Sequence, residues 1–213
     1  MVLFVANSFA LTKNFTFSVA KEGTVAKEIM IVKQETHSTQ IIRIEPNGEK
    51  QVIKLKGKTK ILSVTYFDTA EQAKITVSYD YKNTQVTVIA GNKKKKFPLS
   101  ERTFEAQSVF YMLGHIYPKK DGEFEFTLLQ SWGPRIVDMY LKDMDTETIQ
   151  IMGRKIKARK YEMGLLGAIE STIWPHRYYY WYDADNRRIL KYQGRNENSK
   201  EETIELVDYS EEK

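Results

Sequence analysis

The segment HRYYYWYDADNRRILKYQGR, residues His176 to Arg195, decides the fold class of this chain. Five consecutive aromatic residues, Tyr178 to Tyr182, precede the tetrapeptide Asp183-Ala184-Asp185-Asn186, and a second alternating run follows it. Asp and Asn favour turns because their side chains bond to nearby backbone groups. The two flanks of the tetrapeptide are therefore predicted to pair as an antiparallel hairpin.

The register of this hairpin follows from taking the tetrapeptide as its loop. Tyr182 is then predicted opposite Arg187, Tyr180 opposite Ile189, Tyr179 opposite Leu190 and Trp181 opposite Arg188. The face predicted to point into the core carries Tyr179, Trp181, Leu190 and Tyr192. The face predicted to form a ladder of phenols on the solvent side carries Tyr178, Tyr180, Tyr182, Ile189 and the stem of Lys191. Aromatic groups on both faces are typical of a strand in a strongly curved sheet, where cross-strand pairs contribute about 0.2–1 kcal/mol each.

Period-2 alternation of apolar and polar residues predicts strands through most of the remaining chain. The predicted strands span residues 12–20, 26–34, 39–45, 51–55, 61–67, 73–81, 84–90, 95–99, 123–129, 135–142, 146–152, 155–163 and 203–209. Lys93 to Lys96 are predicted to form a charged turn that protects a sheet edge from aggregation.

A helical period appears only in the stretch SERTFEAQSVFYMLGHI. It predicts one helix from Thr103 to Leu113, with Ser100 or Thr103 as its N-cap and with Gly114 and Pro118 limiting its end. The predicted fold class is mainly β (α+β), a strongly curved antiparallel sheet or half-barrel with one helix on its concave side.

Composition excludes several classes of protein. The 213 residues are 41% hydrophobic and 29% charged, which is ordinary for a globular protein. The absence of cysteine excludes disulfides and thiolate metal sites. The net charge is +5, but the basic residues are spread along strands and interleaved with acidic ones, which argues against a nucleic-acid partner. No segment has the roughly 20 apolar residues that a membrane helix needs.

The N-terminal segment MVLFVANSFA, residues 1–10, has two explanations. Small side chains at Ser8 and Ala10 fit the pattern that signal peptidase cleaves, so the segment is interpreted as the remnant of a signal peptide. The alternative is an apolar lead-in to the first buried strand. Residues 11–213 are predicted to form one β-rich domain. Localisation is expected to be periplasmic or outer-membrane-associated if the segment is such a remnant, and cytoplasmic otherwise.

Residues 147–194 resemble the C-terminal half of a bacterial envelope family, domain of unknown function 3108. The resemblance is carried by the strand Glu147-Thr148-Ile149-Gln150-Ile151, the run Arg159-Lys160-Tyr161 and the two flanks of the hairpin. It implies an exported protein whose curved sheet is similar to the half-barrels of lipoprotein carriers. The family brings no catalytic residues with it.

Enzymatic chemistry finds no support in the sequence. The three histidines, His37, His115 and His176, lie too far apart for a local zinc motif, and Ser131 lacks the flanking glycines of a nucleophile elbow. A non-enzymatic protein without a metal or cofactor is therefore predicted.

Two functional hypotheses remain open. The first is an envelope protein that binds a lipid or other apolar ligand in its curved sheet. Its predicted ligand-binding residues are Phe110, Tyr111, Leu165, Leu166, Ile169, Trp174 and Trp181. The second is a structural or assembly module that docks another envelope protein through its tyrosine-rich surface. A carrier requires an internal void of roughly 300 Å³ or more, whereas a docking module would have a filled core.

Overall fold

The alternating sequence forms fifteen strands and one short helix in the computed structural model, which describes residues 11–115, 123–167, 176–195 and 200–212. The elements are β1 (Leu11–Lys21), β2 (Thr24–Gln34), β3 (Ser38–Ile44), β4 (Lys50–Lys56), β5 (Lys60–Phe67), β6 (Ala73–Asp80), β7 (Gln85–Ala90), β8 (Lys93–Pro98), β9 (Thr103–Glu105), α1 (Ala106–Met112), β10 (Glu123–Gln130), β11 (Arg135–Ile151), β12 (Arg154–Leu165), β13 (Tyr178–Asp183), β14 (Ile189–Arg195) and β15 (Glu201–Glu212). The predicted remnant of a signal peptide lies outside the described residues.

All fifteen strands belong to one sheet, in the order β8-β7-β6-β5-β4-β3-β2-β1-β15-β14-β13-β12-β11-β10-β9. Neighbouring strands are antiparallel, except that β9 and β10 are parallel. In the described part of the chain, β8 and β9 do not pair with each other, so the sheet does not close into a barrel. The predicted mainly-β fold class is confirmed.

Helix α1 occupies the concave side of this sheet. The ring of Phe110 lies 5.5 Å from that of Phe17 on β1 and 6.3 Å from that of Tyr192 on β14. Val109, Met112 and the following Leu113 are all at most 1% exposed. Complete burial of an aliphatic side chain contributes about 1.5–3 kcal/mol, so the helix is held mainly by its apolar side chains.

The start of α1 is fixed by Glu105 and not by the predicted caps. One oxygen of its carboxylate accepts hydrogen bonds from the backbone amides of Gln107 and Ser108, at 2.9 and 3.1 Å. Ser100 and Thr103 instead bond to each other, 3.0 Å apart, and Thr103 opens strand β9. The helix is shorter than predicted because Thr103, Phe104 and Glu105 form strand β9, which pairs with β10.

Buried polar groups anchor the N-terminal end of α1 to the sheet. Glu105 is fully buried and also accepts hydrogen bonds from the hydroxyls of Tyr66 and Ser131, the latter at 2.9 Å. Burial raises the pKa of its carboxyl group, against the effect of these hydrogen bonds. A second buried pair joins Arg43 to Glu28 through two hydrogen bonds of 2.9 and 2.8 Å.

Two strand predictions differ from the structure. The separate strands predicted at 135–142 and 146–152 are one strand, β11, whose pairing with β12 shifts register between Asp143 and Thr146. Asp145 adopts a φ of 68° there, which absorbs the irregularity without ending the strand. The predicted turn of Lys93 to Lys96 belongs to β8, where all four side chains are exposed on a strand at the end of the sheet.

Candidate functional site

The aromatic hairpin forms as predicted, but its register is different. Tyr180 pairs with Tyr192, Trp181 with Lys191 and Tyr182 with Ile189, so Leu190 is an extra residue in β14. The predicted register was wrong for two physical reasons. The turn extends through Arg188, whose carbonyl accepts a hydrogen bond from the amide of Asp183 at 2.8 Å. The bulge at Leu190 then changes which residues of β14 share a face with those of β13.

The structure also reverses the predicted faces of β13. The hydroxyl of Tyr182 donates a 2.9 Å hydrogen bond to the backbone carbonyl of Phe110 on α1. The ring of Tyr180 lies 5.1 Å from that of Tyr192, which itself contacts Phe110. Tyr180 and Tyr182 therefore face the helix, whereas strand alternation directs Tyr179 and Trp181 to the opposite side of the sheet.

A lysine lies over both of these outer rings. The Nζ atom of Lys160 on β12 is 4.8 Å from the ring centre of Tyr179 and 5.0 Å from that of Trp181. Lys191 approaches Trp181 from β14 at 5.7 Å, and the indole nitrogen donates to the carboxylate of Glu147. The register places Lys160 directly opposite Trp181, so the contact follows from the strand pairing itself.

Strand β11 extends the same surface. Tyr140 lies across Gly164, where a Cβ atom would come within 2.8 Å of the tyrosine ring. Its hydroxyl donates to Glu162 at 2.7 Å, and the guanidinium of Arg177 lies 5.8 Å from its ring centre. Burial and the neighbouring Glu162 raise the pKa of Tyr140 to about 12, so the phenol is neutral and remains a hydrogen-bond donor at physiological pH.

We call this surface the aromatic face. It consists of Tyr140, Lys160, Arg177, Tyr179, Trp181 and Lys191. Its groups are two phenols, an indole, two lysines and an arginine. The arrangement is suited to binding, because Trp, Tyr and Arg are the residues that dominate protein interfaces.

The sequence predicted the stem of Lys191 beside exposed phenols, but it did not predict Lys160 or Arg177 on this face. In the sequence, Lys160 stands out only as part of the basic and aromatic run Arg159-Lys160-Tyr161. The usable signal was alternation along β12, since Tyr161 is buried against Tyr182 and its neighbour Lys160 must therefore point to the other side.

Of the residues predicted to bind an apolar ligand, Phe110, Tyr111 and Trp181 are buried and Leu165 packs against the core, but Trp181 lies on the side of the sheet away from α1. Phe110 packs against β1 and β14, and Tyr111 accepts a 3.4 Å hydrogen bond from the side chain of Gln34. Leu165 and Leu166 lie partly exposed at the end of β12, and Trp181 lies on the aromatic face. Ile169 and Trp174 lie outside the described residues. Their common role as a ligand site stays a prediction.

Within residues 11–115, 123–167, 176–195 and 200–212, no cluster of three or more His, Asp or Glu side chains could hold a metal ion. Over the same residues, no helix combines the length and the apolar character that crossing a bilayer requires.

Comparisons with known proteins identify a fold and no sequence family. No family model matches the chain, and no curated protein matches it. A β-barrel-like protein of domain of unknown function 1849 from Brucella abortus has a similar structure, with 10% sequence identity, 96% of this chain and 98% of that chain covered, and a TM-score of 0.53. The expected curved, barrel-like fold is thereby confirmed, whereas membership of domain of unknown function 3108 is not.

Two further solved structures align over most of the chain with lower scores. The MucA/MucB complex of Pseudomonas aeruginosa aligns at 12% identity over 95% of this chain and 52% of that chain, with a TM-score of 0.41. The hypothetical lipoprotein YmcC of Escherichia coli aligns at 8% identity over 93% of this chain and 84% of that chain, with a TM-score of 0.42.

Proposed function

We propose that this protein is a non-enzymatic protein of the cell envelope that docks another envelope protein through the aromatic face. The observation that carries the proposal is the position of Lys160 over two aromatic rings, on the side of the sheet directed away from α1. Export is supported by the small residues of the N-terminal segment and by the resemblance of residues 147–194 to an envelope family.

The physical argument for docking is that a partner could cover this surface at a small cost in conformational entropy. Tyr179 is held between Lys160 and Trp181, so it loses little conformational freedom when a partner covers it. A cation over a ring contributes about 0.5–1 kcal/mol when exposed and about 2 kcal/mol or more when water is excluded. These contacts would therefore strengthen as the interface forms.

The filled concave side favours docking over lipid carriage. Helix α1 packs its apolar side chains where an acyl chain would lie, and polar bonds to Glu105 and Arg43 hold its first turn. Two open clefts of the described residues, of about 490 and 430 Å³, are lined by neither Phe110 nor Trp181. A carrier function would require the helix to leave the sheet.

Photo-crosslinking in intact cells tests the docking proposal. A benzophenone amino acid replaces Tyr179 in the exported protein, and a matched control replaces Tyr81, whose ring also carries a lysine, Lys60, at 4.0 Å. We expect one discrete crosslinked species at Tyr179 and none at Tyr81, and we expect Lys160→Glu to abolish it. Equal crosslinking at both positions, or an unchanged product with Lys160→Glu, would contradict docking through this face.

Organic extraction and mass spectrometry of the exported protein test the competing lipid hypothesis. If the protein is a docking module, the extract should contain no stoichiometric amount of lipid. Stoichiometric lipid would instead favour the carrier, and α1 would then have to be displaced in the loaded state.

A further inference from the structure

A second surface feature lies where α1 ends, away from the aromatic face. An open cleft of about 430 Å³ is lined by Lys58, Thr59, His115, Asp185, Asn186 and Arg187. Three separate parts of the chain meet here, namely the turn between β4 and β5, the turn between β13 and β14, and the residue that follows the last turn of the helix. Residues from distant parts of the sequence thus converge on one small volume.

The wall of the cleft formed by the β13–β14 turn is rigidly built. The carboxylate of Asp183, which is 7% exposed, accepts hydrogen bonds from the amide of Asp185 at 3.0 Å and from the side chain of Asn186 at 2.8 Å. The same carboxylate binds the guanidinium of Arg188 at 3.1 Å. This network fixes the turn before any ligand arrives, which lowers the entropic cost of binding.

The turn is also pressed against the end of the helix. The carbonyl oxygen of Arg187 approaches Gly114 so closely that a Cβ atom on the glycine would lie 2.6 Å from it. Arg187 itself has a φ of 61°, a left-handed conformation that costs a non-glycine residue about 1 kcal/mol or more. The chain therefore holds an arginine at a position where glycine or asparagine would be less strained.

Positive charge exceeds negative charge in the cleft. Lys58 and Arg187 line it, and Lys13 is near enough to act on His115, whereas Asp185 is the one carboxylate among the described residues of the lining. Lys13 is also 4.0 Å from Glu211, an exposed pair that solvent screens. Burial, followed by Lys58, Arg187 and Lys13, lowers the pKa of His115 to about 4, so its ring is neutral near pH 7.

The carbonyl end of α1 carries a partial negative charge, but this partial charge alone does not account for the number of cations around the cleft. A helix terminus carries the equivalent of about half a negative charge, and cations near it contribute about 0.3–1 kcal/mol each. Helix α1 has only seven residues, while three cations act on the histidine that follows it. The three cations that act on His115 thus exceed what the partial charge of this helix end would offset.

We propose that this cleft binds an oxyanion, either a free phosphate or carboxylate or the same group on a larger molecule, between Lys58 and Arg187. The hydroxyl of Thr59 and the ring of His115 supply neutral hydrogen-bond donors beside the two charges. Two cations beside neutral donors are the arrangement that charge-assisted recognition of oxyanions uses. The proposal does not depend on the aromatic face or on a docked partner.

Proton NMR of the three histidines tests the proposal on the complete chain, with inorganic phosphate and acetate as probes in separate titrations at constant ionic strength. We expect the His115 resonance to shift in a saturable way with at least one probe, and its pKa to rise from about 4 because a bound anion stabilises the imidazolium. His176 should not respond, whereas His37, whose carbonyl accepts a hydrogen bond from the amide of Gly57 beside Lys58, is not a remote control. Saturation by phosphate alone, by acetate alone or by both supports the site and identifies its preferred anion.

Two variants sharpen the test. Lys58 is exposed, so Lys58→Gln should leave the fold intact and weaken anion binding about tenfold, equivalent to 1.4 kcal/mol. Lys60→Gln, two residues along the chain and lying over Tyr81 instead, is the matched control and should bind normally. The proposal is overturned if neither probe produces a saturable shift at His115, or if both variants bind as the parent protein does.

Discussion

The hydroxyl of Tyr182 donates a 2.9 Å hydrogen bond to the carbonyl oxygen of Phe110, and this bond joins the aromatic strand to the helix that fills the sheet. Both groups are buried, and the ring of Tyr182 also packs against that of Tyr161, 6.0 Å away. The bond determines which tyrosines of the five-residue aromatic run face inward. On the other side of the strand, Tyr179 is half-buried and Trp181 is 6% exposed within the aromatic face.

Tyr182→Phe should destabilise the protein by about 1–2 kcal/mol, because the carbonyl of Phe110 would be left buried without its partner. The free energy of unfolding in urea measures this loss. Tyr81→Phe serves as the control, since Tyr81 is only partly buried and should change stability by less than about 0.5 kcal/mol. Equal stability of the two variants would show that the hydrogen bond contributes nothing to helix docking.

Gly114→Ala should cost about 1–3 kcal/mol, because the added methyl group would lie 2.6 Å from the carbonyl oxygen of Arg187 and 2.7 Å from the ring of Tyr182. Gly133→Ala is a matched control, since a Cβ atom there meets nothing within 4 Å. Thermal unfolding of the two variants gives the comparison. A Gly114→Ala protein as stable as the Gly133→Ala protein would mean that the helix end can move away from the turn.

The buried pair of Arg43 and Glu28 should show strong coupling. Arg43→Met leaves the carboxylate of Glu28 buried without its cation, and the expected loss is about 3–5 kcal/mol. The double variant Arg43→Met/Glu28→Met removes both charges and should be less destabilised than Arg43→Met alone. Chemical denaturation of both single variants and the double variant gives the coupling energy, and additive losses would argue against a tight ion pair.

His115 should make stability depend on pH between about 4 and 6.5. Its folded pKa is about 4, below the ordinary value of 6.5, so the unfolded chain binds more protons in this window. The free energy of unfolding should therefore fall as the pH drops from 6.5 to 4, by about 1–2 kcal/mol for a partly solvated ring. The groups that act on it are Lys58, Arg187 and Lys13.

His115→Asn isolates this contribution. The difference in unfolding free energy between the parent protein and the variant should vary between pH 4 and 6.5 and be constant above pH 7. A difference that does not change with pH would contradict the lowered pKa of His115. The raised pKa of Glu105 acts in the opposite direction, since a carboxyl that holds its proton more tightly when folded loses stability as the pH rises, but it is common to both proteins.

The sequence predicts the sheet well because alternation is a local signal. Strands such as β2 and β6 bury every second residue, and this pattern can be recognised without knowing which strands are neighbours. Strand β9 could not be found in the same way. Its three residues are all buried, and it exists only because β10, about twenty residues further along the chain, pairs with it.

The candidate site was harder to predict than the fold. One extra residue at Leu190 changes which residues of β14 share a face with those of β13, and nothing in the sequence of the hairpin distinguishes a bulge from regular pairing. The contact between Lys160 and Trp181 depends in turn on the register of β12 with β13. An error in the predicted register of two strands displaces the residues of a site that spans them, whereas it leaves the predicted fold class unchanged.

The strand order has a consequence for how the chain could be rearranged. Thr12 pairs with Glu212, and β8 and β9, which are consecutive in the chain, lie at opposite ends of the sheet. A circular permutant that joins residue 212 to residue 11 through a short linker and opens the chain between β8 and β9 would run from β9 to β15 and then from β1 to β8. Every strand would then lie beside the next one in the chain, and the present pairing of β1 with β15, nearly the whole chain apart, would become a local contact. Such a chain would keep the same sheet with a lower contact order, and it should fold faster for that reason alone.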